Sequence, residues 1–406
     1  MVICKNKFRL HINEEFIYIL AFGLYFFAEY YRSTMFFHTF PTFFLGPMKA
    51  MATGLLILKC VIHDQYKMKR FLTIASSILL SLLITFKSEY AHVFSTMLFI
   101  ISAQGVNFDN MLKCTLYIGL TLTVISVAAS QVGIIPDLVY YRDNGSIRHS
   151  FGTIYPTDFA AHIFYLALTF FYLQRGKLCF KHVCMILFLI VFLDVLCDTR
   201  LTELQLIFLL FAAFLYKKSY IKERISLFYK IVIPAAMPVC AFISIMICKL
   251  YDKKDPTWKM LNSIVSRRLE YGNNSLNDNK VNLFGRFIEQ NGSGGTVDNM
   301  YQRNLEYTFI DISYMRVLLM YGLVMFVIVL TVYPALCVIR MKKGDLLLPM
   351  CFFVIAVSSM IDHHLIDFAY NTFILCLLMN KYNPVADRMI EKAVPKKRRF
   401  RIRLKA

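Results

Sequence analysis

The chain has 406 residues, of which 58% are hydrophobic and only 17% are charged, and its mean hydropathy is +0.54. Soluble domains are closer to roughly 45–50% apolar and about 25% charged, so this composition excludes an ordinary soluble protein. The net charge of +19 invites a nucleic-acid function. However, the basic residues are concentrated in short loops between apolar segments, which is the positive-inside pattern of membrane proteins, and we expect no nucleic-acid partner.

Twelve apolar segments lie near the length that crosses a bilayer, which is about 20 residues. They predict an all-α polytopic membrane protein in which residues 1–406 form a single integral membrane domain. The first segment follows a short basic start, and we expect it to remain as an anchor rather than to be cleaved. The predicted spans are roughly 14–31, 40–61, 71–87, 90–104, 111–133, 156–174, 179–197, 201–216, 228–250, 316–339, 346–361 and 364–380.

Loop charge sets the predicted orientation. With twelve spans, every cluster of basic residues falls on one side of the membrane, which is therefore predicted to be cytoplasmic together with both termini. The basic tail, 381–406, is expected to be a cytoplasmic anchor. The clusters are Lys5, Lys7 and Arg9; Lys67, Lys69 and Arg70; Arg175, Lys177 and Lys181; Lys217, Lys218, Lys222 and Arg224; and Arg340, Lys342 and Lys343.

Four segments are then predicted outside, at 136–155, 198–200, 251–307 and 362–364. The first is rich in turn residues and leads directly into a span, so Gly152 and Pro156 indicate a shaped backbone just above the bilayer. His149 in this segment is either a proton shuttle near neutral pH or a histidine of the membrane interface.

The second outer segment follows an acidic residue inside an apolar run. Asp194 lies where charge is costly, and Asp198 follows it at the i,i+4 spacing that places two side chains on one helix face. A functional role is the default interpretation of such a residue in a membrane protein. The alternative is a local ion pair between Asp198 and Arg200.

The long polar loop, 251–307, carries an amphipathic pattern. Trp258, Leu261, Ile264, Val265 and Leu269 recur at helical spacing. They predict an amphipathic helix that either covers a cavity above the bilayer or rests on lipid.

His363 and His364 form the last outer corner. Adjacent side chains diverge on a helix, so we do not expect the pair to hold a metal ion, and no outer cluster has zinc-site spacing. One of the two is a candidate acid/base or phosphate partner. The 11 cysteines lie mostly in predicted spans and are interpreted as small apolar residues rather than disulfides or ligands.

Arginine on the outer face opposes the topological preference, so it needs a reason. The planar guanidinium matches phosphate oxygens in a bidentate manner, and a ring of such groups at the interface suits a pyrophosphate-linked lipid. Pairing with acidic neighbours and snorkelling to water are the alternatives. The outer arginines are Arg142, Arg148, Arg200, Arg267, Arg268, Arg286, Arg303 and Arg316.

Several short motifs on this face resemble those of the Wzy-type polysaccharide polymerases, within the O-antigen ligase/polymerase superfamily. The resemblance covers roughly 142–380. Residues 148–152 are similar to the family's Arg-x-Ser-Phe-Gly element, although Tyr155-Pro156-Thr157 stands where the family often has His-Pro-Asn. The other similar segments are 198–202 (Asp-Thr-Arg-Leu-Thr), 266–269 (Ser-Arg-Arg-Leu), 282–285 (Asn-Leu-Phe-Gly) and 310–314 (Ile-Asp-x-x-Tyr) before Gly322.

The resemblance implies a glycosyltransferase of the bacterial cytoplasmic membrane that uses no nucleotide sugar, cofactor or metal. Such enzymes transfer a glycan from undecaprenyl pyrophosphate to another lipid-linked repeat unit, in capsule, exopolysaccharide or O-antigen synthesis. A flippase and a chain-length regulator are the implied partners. The expected pyrophosphate or glycan contacts are Arg148, Arg200, Arg268 and, as a weaker candidate, Arg286; the candidate bases are His363, His364 and Asp311.

Three other functions compete with this interpretation. A ligase that transfers finished polymer shares the fold and is not separated by sequence. A flippase or other transporter commonly has internal repeats and interrupted helices, neither of which is found. A membrane O-acyltransferase prefers a catalytic histidine within a span, whereas His92 and His162 lie near span ends.

Overall fold

The computed structural model is a bundle of apolar helices. It describes residues 13–62, 68–142, 145–221, 227–292 and 307–381. Most of the predicted basic tail therefore lies outside the described residues. The helices of the amino-terminal half are α1 (Glu14–Arg32), α2 (Phe36–Thr39), α3 (Leu45–Ile62), α4 (Met68–Ser88), α5 (His92–Ser102), α6 (Phe108–Gln131) and α7 (Pro156–Leu173).

The carboxyl-terminal half continues the bundle and adds two short helices in the long loop. Its helices are α8 (Phe180–Cys197), α9 (Arg200–Ile221), α10 (Leu227–Leu250), α11 (Pro256–Ile264), α12 (Arg268–Asp278), α13 (Ser313–Lys342) and α14 (Leu347–Ser358). Helix α13 contains a π-helical turn at Val317–Tyr321, and a 3-10 helix spans Thr372–Leu378.

Within the described residues, six helices are long and apolar enough to cross a membrane. The protein is therefore membrane-embedded and mainly helical, while the count of twelve spans and the orientation remain predictions. Phe86 of α4 and Phe180 of α8 are each at least 80% exposed, which suits helix faces that meet lipid rather than water. The six helices are α3, α4, α6, α8, residues Tyr229–Leu250 of α10, and α13; α5 and α14 are shorter apolar helices.

Aromatic packing holds two amino-terminal helices against the segment that follows α14. Phe22 of α1, Phe99 of α5 and Phe368 form a buried triangle whose ring centroids lie 4.8–6.3 Å apart. Each such ring pair adds about 0.5–1.5 kcal/mol beyond its buried area. This contact fixes the segment after α14 against α1 and α5.

The last predicted span, 364–380, is wrong as a helix. After α14 the chain makes a series of turns and then the 3-10 helix. Polar side chains replace the helical hydrogen bonds here: Ser313 Oγ accepts from Leu365 N, and Asn371 Nδ2 donates to Leu365 O while its Oδ1 accepts from Phe373 N. Such side chains compete with the helix for backbone groups, so the segment folds as a buried irregular corner.

A short hairpin precedes α7. Strand β1 (Val139–Tyr141) pairs antiparallel with β2 (Ile147–His149), with Tyr140 opposite Arg148. Gly152 follows at φ +77°, and a Cβ there would press on the carbonyl oxygen of Ser126. This close approach, together with Pro156 at the start of α7, confirms the predicted shaped backbone.

The long loop is attached to the bundle by its own backbone. The amides of Leu323 and Val324 donate to the carbonyls of Asn282 and Leu283, and Arg286 N donates to Met320 O. Gly285 and Gly322, from two of the motifs described above, touch at this junction, where either Cβ would overlap the other segment's backbone. The two motifs are therefore one structural joint.

The predicted amphipathic helix is interrupted. Helix α11 ends at Ile264, and Ser266 and Arg267 adopt positive φ angles of 54° and 64° before α12 starts at Arg268. Side chains with a Cβ seldom adopt this region. The break separates Trp258 from Leu269 and turns α12 toward the bundle.

Candidate functional site

A cavity of about 560 Å³ opens at the end of the bundle where α1 and α8 end and α7 and α9 begin. The long loop and the corner after α14 complete its wall. The basic residues Arg175 and Arg340 lie at the opposite ends of α7 and α13. The charged residues, histidines and tyrosines that line the cavity are Glu29, Arg32, His92, Arg142, Arg148, Tyr155, Asp158, Arg200, Arg268, Tyr271, Tyr307, Asp311, Arg316, Asp362, His363, His364, Asp367 and Tyr370.

Three of the four predicted substrate-binding arginines share this cavity. Arg148, Arg200 and Arg268 come from three separate segments and all line it. Arg286 does not line it: its guanidinium donates to Asn279 Oδ1 at 2.7 Å, within the long loop. The structure thus brings together the stronger candidates and separates Arg286, which belongs to the loop joint.

Arg148 is held firmly by its neighbours. Arg148 is only 6% exposed. Its Nε donates to the Cys197 carbonyl at 2.9 Å, and its Nη1 donates to Tyr155 Oη at 3.2 Å. The guanidinium also lies 5.2 Å from the centre of the Tyr155 ring. These contacts use part of the donor fork and preorganise the rest.

Asp198 organises two further arginines. It ends α8 in the left-handed region at φ 45°, and its carboxylate pairs with Arg142 at 3.1 Å and with Arg200 at 3.2 Å. The ion pair of Asp198 with Arg200, which was the alternative to a functional role at this corner, is present. Burial, and then the charge of Arg148, lowers the pKa of Arg142, which identifies a crowded cationic wall.

The backbone break after α11 selects which of two consecutive arginines reaches the cavity. Arg268 donates from Nε to the Ile361 carbonyl at 2.6 Å, so it joins the long loop to the corner after α14. Arg267 turns away and pairs with Glu270 at 3.0 Å. Its side chain is 60% exposed and does not line the cavity.

Three lining arginines were missed or given no role by the sequence interpretation, one of which is Arg142, recognised as an outer arginine only. Arg32 ends α1, and a cation at the predicted outer end of a span was the available signal. Arg316 was recognised as an outer arginine only. Its Nη1 is buried without a hydrogen-bond partner among the described residues, and its guanidinium lies 5.1 Å from the Phe309 ring. A buried cationic donor without a partner is costly unless a ligand satisfies it.

His364 is clamped beside the cavity. Its Nδ1 lies 3.4 Å from Asp367 Oδ2, and its ring stacks on Tyr370 with centroids 3.6 Å apart. No hydrogen bond within the described residues engages Nε2. A carboxylate on one ring nitrogen fixes the orientation and tautomer of a histidine and leaves the other nitrogen to exchange protons.

His363 lies against the other side of His364, with ring centroids 3.9 Å apart. Burial lowers its pKa well below the usual range, and the charges of Arg316 and Arg268 lower it further. His363 is therefore neutral at pH 7. A neutral imidazole suits hydrogen bonding to substrate more than charge neutralisation.

A metal ion has one candidate set of ligands among the described residues. Ligand atoms of Asp158, His363 and His364 lie within 4.8 Å of one another. The expectation that adjacent histidines diverge is wrong, because the two lie on a turn rather than on a helix. Their cationic neighbours Arg268 and Arg316 oppose a bound cation.

Asp311, the third candidate base, is already engaged. Its Oδ2 accepts from Tyr307 Oη at 2.8 Å, and the Tyr307 ring stacks on Tyr271 with centroids 4.0 Å apart. Burial and the Asp311 charge raise the pKa of Tyr307. The phenol therefore stays protonated and donates a hydrogen bond to Asp311. This group builds the loop side of the cavity.

His149, the proposed proton shuttle, is not among the cavity residues. Its Nδ1 lies 2.7 Å from Asp137 Oδ2, and Asp137 Oδ1 accepts from the amides of Ser150 and Phe151. The pair braces the turn after the hairpin, which explains the histidine structurally.

No protein-family model matches this chain, and comparisons with curated proteins and with solved structures found no match. The cavity combines converging guanidinium groups, a histidine oriented by a carboxylate and a membrane-embedded scaffold. This combination can bind a polyanion and move a proton beside it.

Proposed function

We propose that this protein is a polysaccharide polymerase of the bacterial cytoplasmic membrane. It takes a glycan from undecaprenyl pyrophosphate and transfers it to another lipid-linked repeat unit at the outer face. The observation that carries the proposal is the convergence of Arg148, Arg200 and Arg268 on one cavity of a membrane-embedded protein.

The charge balance of the cavity favours a polyanionic ligand. Six arginines and five acids line it, and two of these acids have partners of their own. Glu29 pairs with Lys49 at 2.7 Å, and Asp362 accepts from Gln205, Ser358 and the amide of His364. Pyrophosphate offers the oxygens that guanidinium groups bind in pairs.

The same groups suit the chemistry of transfer. The acceptor hydroxyl oxygen forms a bond to the anomeric carbon of the donor, and the bond from that carbon to the pyrophosphate oxygen breaks. Arginines stabilise the negative charge that develops on the leaving pyrophosphate. His364 Nε2 accepts the hydroxyl proton while Asp367 holds the ring.

Neither a cofactor nor a metal ion has a step in this proposal. The arginines neutralise the leaving group, so activity should survive chelation by EDTA. Loss of activity in EDTA, with recovery on adding one divalent metal, would instead assign that metal to Asp158, His363 and His364.

A deletion strain tests the reaction class. We expect undecaprenyl-linked single repeat units to accumulate on the outer leaflet, and the purified protein to convert these extracted units into a ladder of longer products on gels. Long lipid-linked polymer in the deletion strain would identify a ligase. Single units confined to the inner leaflet would identify a flippase. A flippase or a chain-length regulator encoded nearby would support the implied partners.

A further inference from the structure

A second, apolar groove adjoins the arginine-lined cavity. It has a volume of about 170 Å³ and lies between α9 and α14. Its walls are Leu204 and Phe208 on one side and Val354 and Val357 on the other. The exposed lining is almost entirely apolar, so the groove is suited to hydrocarbon rather than to sugar or phosphate.

The groove and the cavity meet at two shared residues. Gln205 and Ile361 line both spaces. The Ile361 carbonyl accepts from Arg268 Nε, which places a cation at the junction. Gln205 Nε2 donates to Ser358 Oγ at 2.9 Å and to Asp362 Oδ2 at 3.1 Å, and this network closes the polar side. A charged group held by Arg268 therefore lies beside the apolar groove.

The groove also lies on a face of α9 that is exposed on the bundle surface. Leu204, Ile207 and Phe211 are 57%, 50% and 51% exposed. In a membrane-embedded protein such residues meet lipid chains rather than water. A hydrocarbon chain in the groove can therefore continue into the bilayer without crossing a polar layer.

We propose that this groove binds the isoprenoid tail of the lipid pyrophosphate donor, at the units that directly follow the pyrophosphate. The proposal rests on the proposed function, because it needs the pyrophosphate in the arginine-lined cavity. An amphiphile with its head group there must pass its tail to the bilayer through an apolar exit. Gln205 and Ile361, which line both spaces, place this groove directly beside Arg268.

The groove directs the tail rather than extracting it from water. Lipid tails are already in an apolar environment, so packing and shape supply the preference. A large side chain in the groove should weaken binding of a long-tailed pyrophosphate roughly three- to tenfold. Binding of a pyrophosphate with almost no tail should not change.

Leu204→Trp is the informative variant, and Val195→Trp is its matched control. Both residues are exposed, Leu204 on α9 and Val195 on α8, but only Leu204 lines the groove. The full chain in lipid nanodiscs is titrated with undecaprenyl pyrophosphate and with dimethylallyl pyrophosphate. We expect only Leu204→Trp to lose affinity, and only for undecaprenyl pyrophosphate. Equal affinities in both variants for both ligands would overturn the groove assignment while leaving the pyrophosphate site intact.

Failure of the underlying function gives a different result. If the wild-type protein binds neither pyrophosphate, both the proposed function and the groove assignment fall. Photocrosslinking adds an independent readout, with a benzoylphenylalanine at position 208 and radiolabelled undecaprenyl pyrophosphate. We expect the crosslink to be competed by unlabelled undecaprenyl pyrophosphate and not by phosphatidylglycerol. Equal competition by phosphatidylglycerol would show an ordinary phospholipid site and refute the proposal.

Discussion

Arg200→Ala should abolish most of the proposed polymerase activity while leaving the fold intact. The Arg200 side chain is 57% exposed, and its ion pair is with Asp198. Solvent screens the exposed guanidinium, so its pair with the buried Asp198 contributes about 1 kcal/mol or less to stability. Asp198 also keeps its second partner, Arg142. The variant should therefore express and unfold like the wild-type protein.

The expected loss of activity follows from one missing phosphate contact. A hydrogen bond between a charged donor and its acceptor contributes about 1.5–3 kcal/mol. At about 1.4 kcal/mol for each factor of ten, removing it should slow transfer roughly 10- to 150-fold. The measurement is the initial rate of ladder formation by equal amounts of purified protein with extracted lipid-linked repeat units.

Arg267→Ala is the matched control for Arg200→Ala. Arg267 is also exposed, at 60%, and pairs with one acid, Glu270, but it does not line the cavity. We expect its rate to stay within about twofold of wild type, since the change removes an exposed ion pair and a contact 5.1 Å from the centre of the Tyr271 ring, but no guanidinium of the cavity. If the two variants retain the same activity, guanidinium groups in the cavity do not hold the leaving group and the mechanism is wrong.

Three further predictions test the support of the site. Asp367→Asn should lower kcat about tenfold or more with little change in KM, because His364 loses the carboxylate that orients it; steady-state kinetics measure this split. Gly285→Ala should destabilise the protein by about 1–3 kcal/mol, because its Cβ would meet the Met320 carbonyl at a positive φ; thermal unfolding should show a lower Tm than for Gly54→Ala, where space is open. His363→Asn should weaken acid sensitivity. Its native pKa is depressed, so protonation in the unfolded state below about pH 6.5 favours unfolding, and the fall in Tm between about pH 7 and 5 should be shallower in the variant.

Apolar run length was enough to predict most helices. The predicted spans 14–31, 156–174 and 179–197 differ by only a residue at their ends from α1, α7 and α8. These segments are continuous apolar runs, and their polar flanks mark where they end. The prediction of a helix at 364–380 failed because Asp367 and Asn371 bind backbone groups that a helix would otherwise use.

Loop side and motif order predicted which segments meet, but not which side chain within a segment reaches the cavity. Arg267 and Arg268 are identical in type and adjacent, yet only Arg268 lines it. The choice depends on positive φ angles at Ser266 and Arg267. Neither residue is a glycine, so the sequence contains no signal that predicts this conformation. Arg286 was predicted to contact substrate, but its side chain does not line the cavity. Its motif instead forms the joint between Gly285 and Gly322.

The corner after α14 connects the fold to the proposed chemistry. Irregular backbone at the edge of a membrane bundle must satisfy its own polar groups, and it is tolerated where it is buried or lines a cavity. Here Ser313 and Asp362 satisfy the turn, while no hydrogen bond from the part of the chain that the structure describes engages Nε2 of His364. The residues that prevent a last helix are thus the ones that position the candidate base. An uninterrupted apolar helix would bury its polar backbone groups within itself and present no such histidine, so the loss of a regular span and the presence of a site have one structural cause.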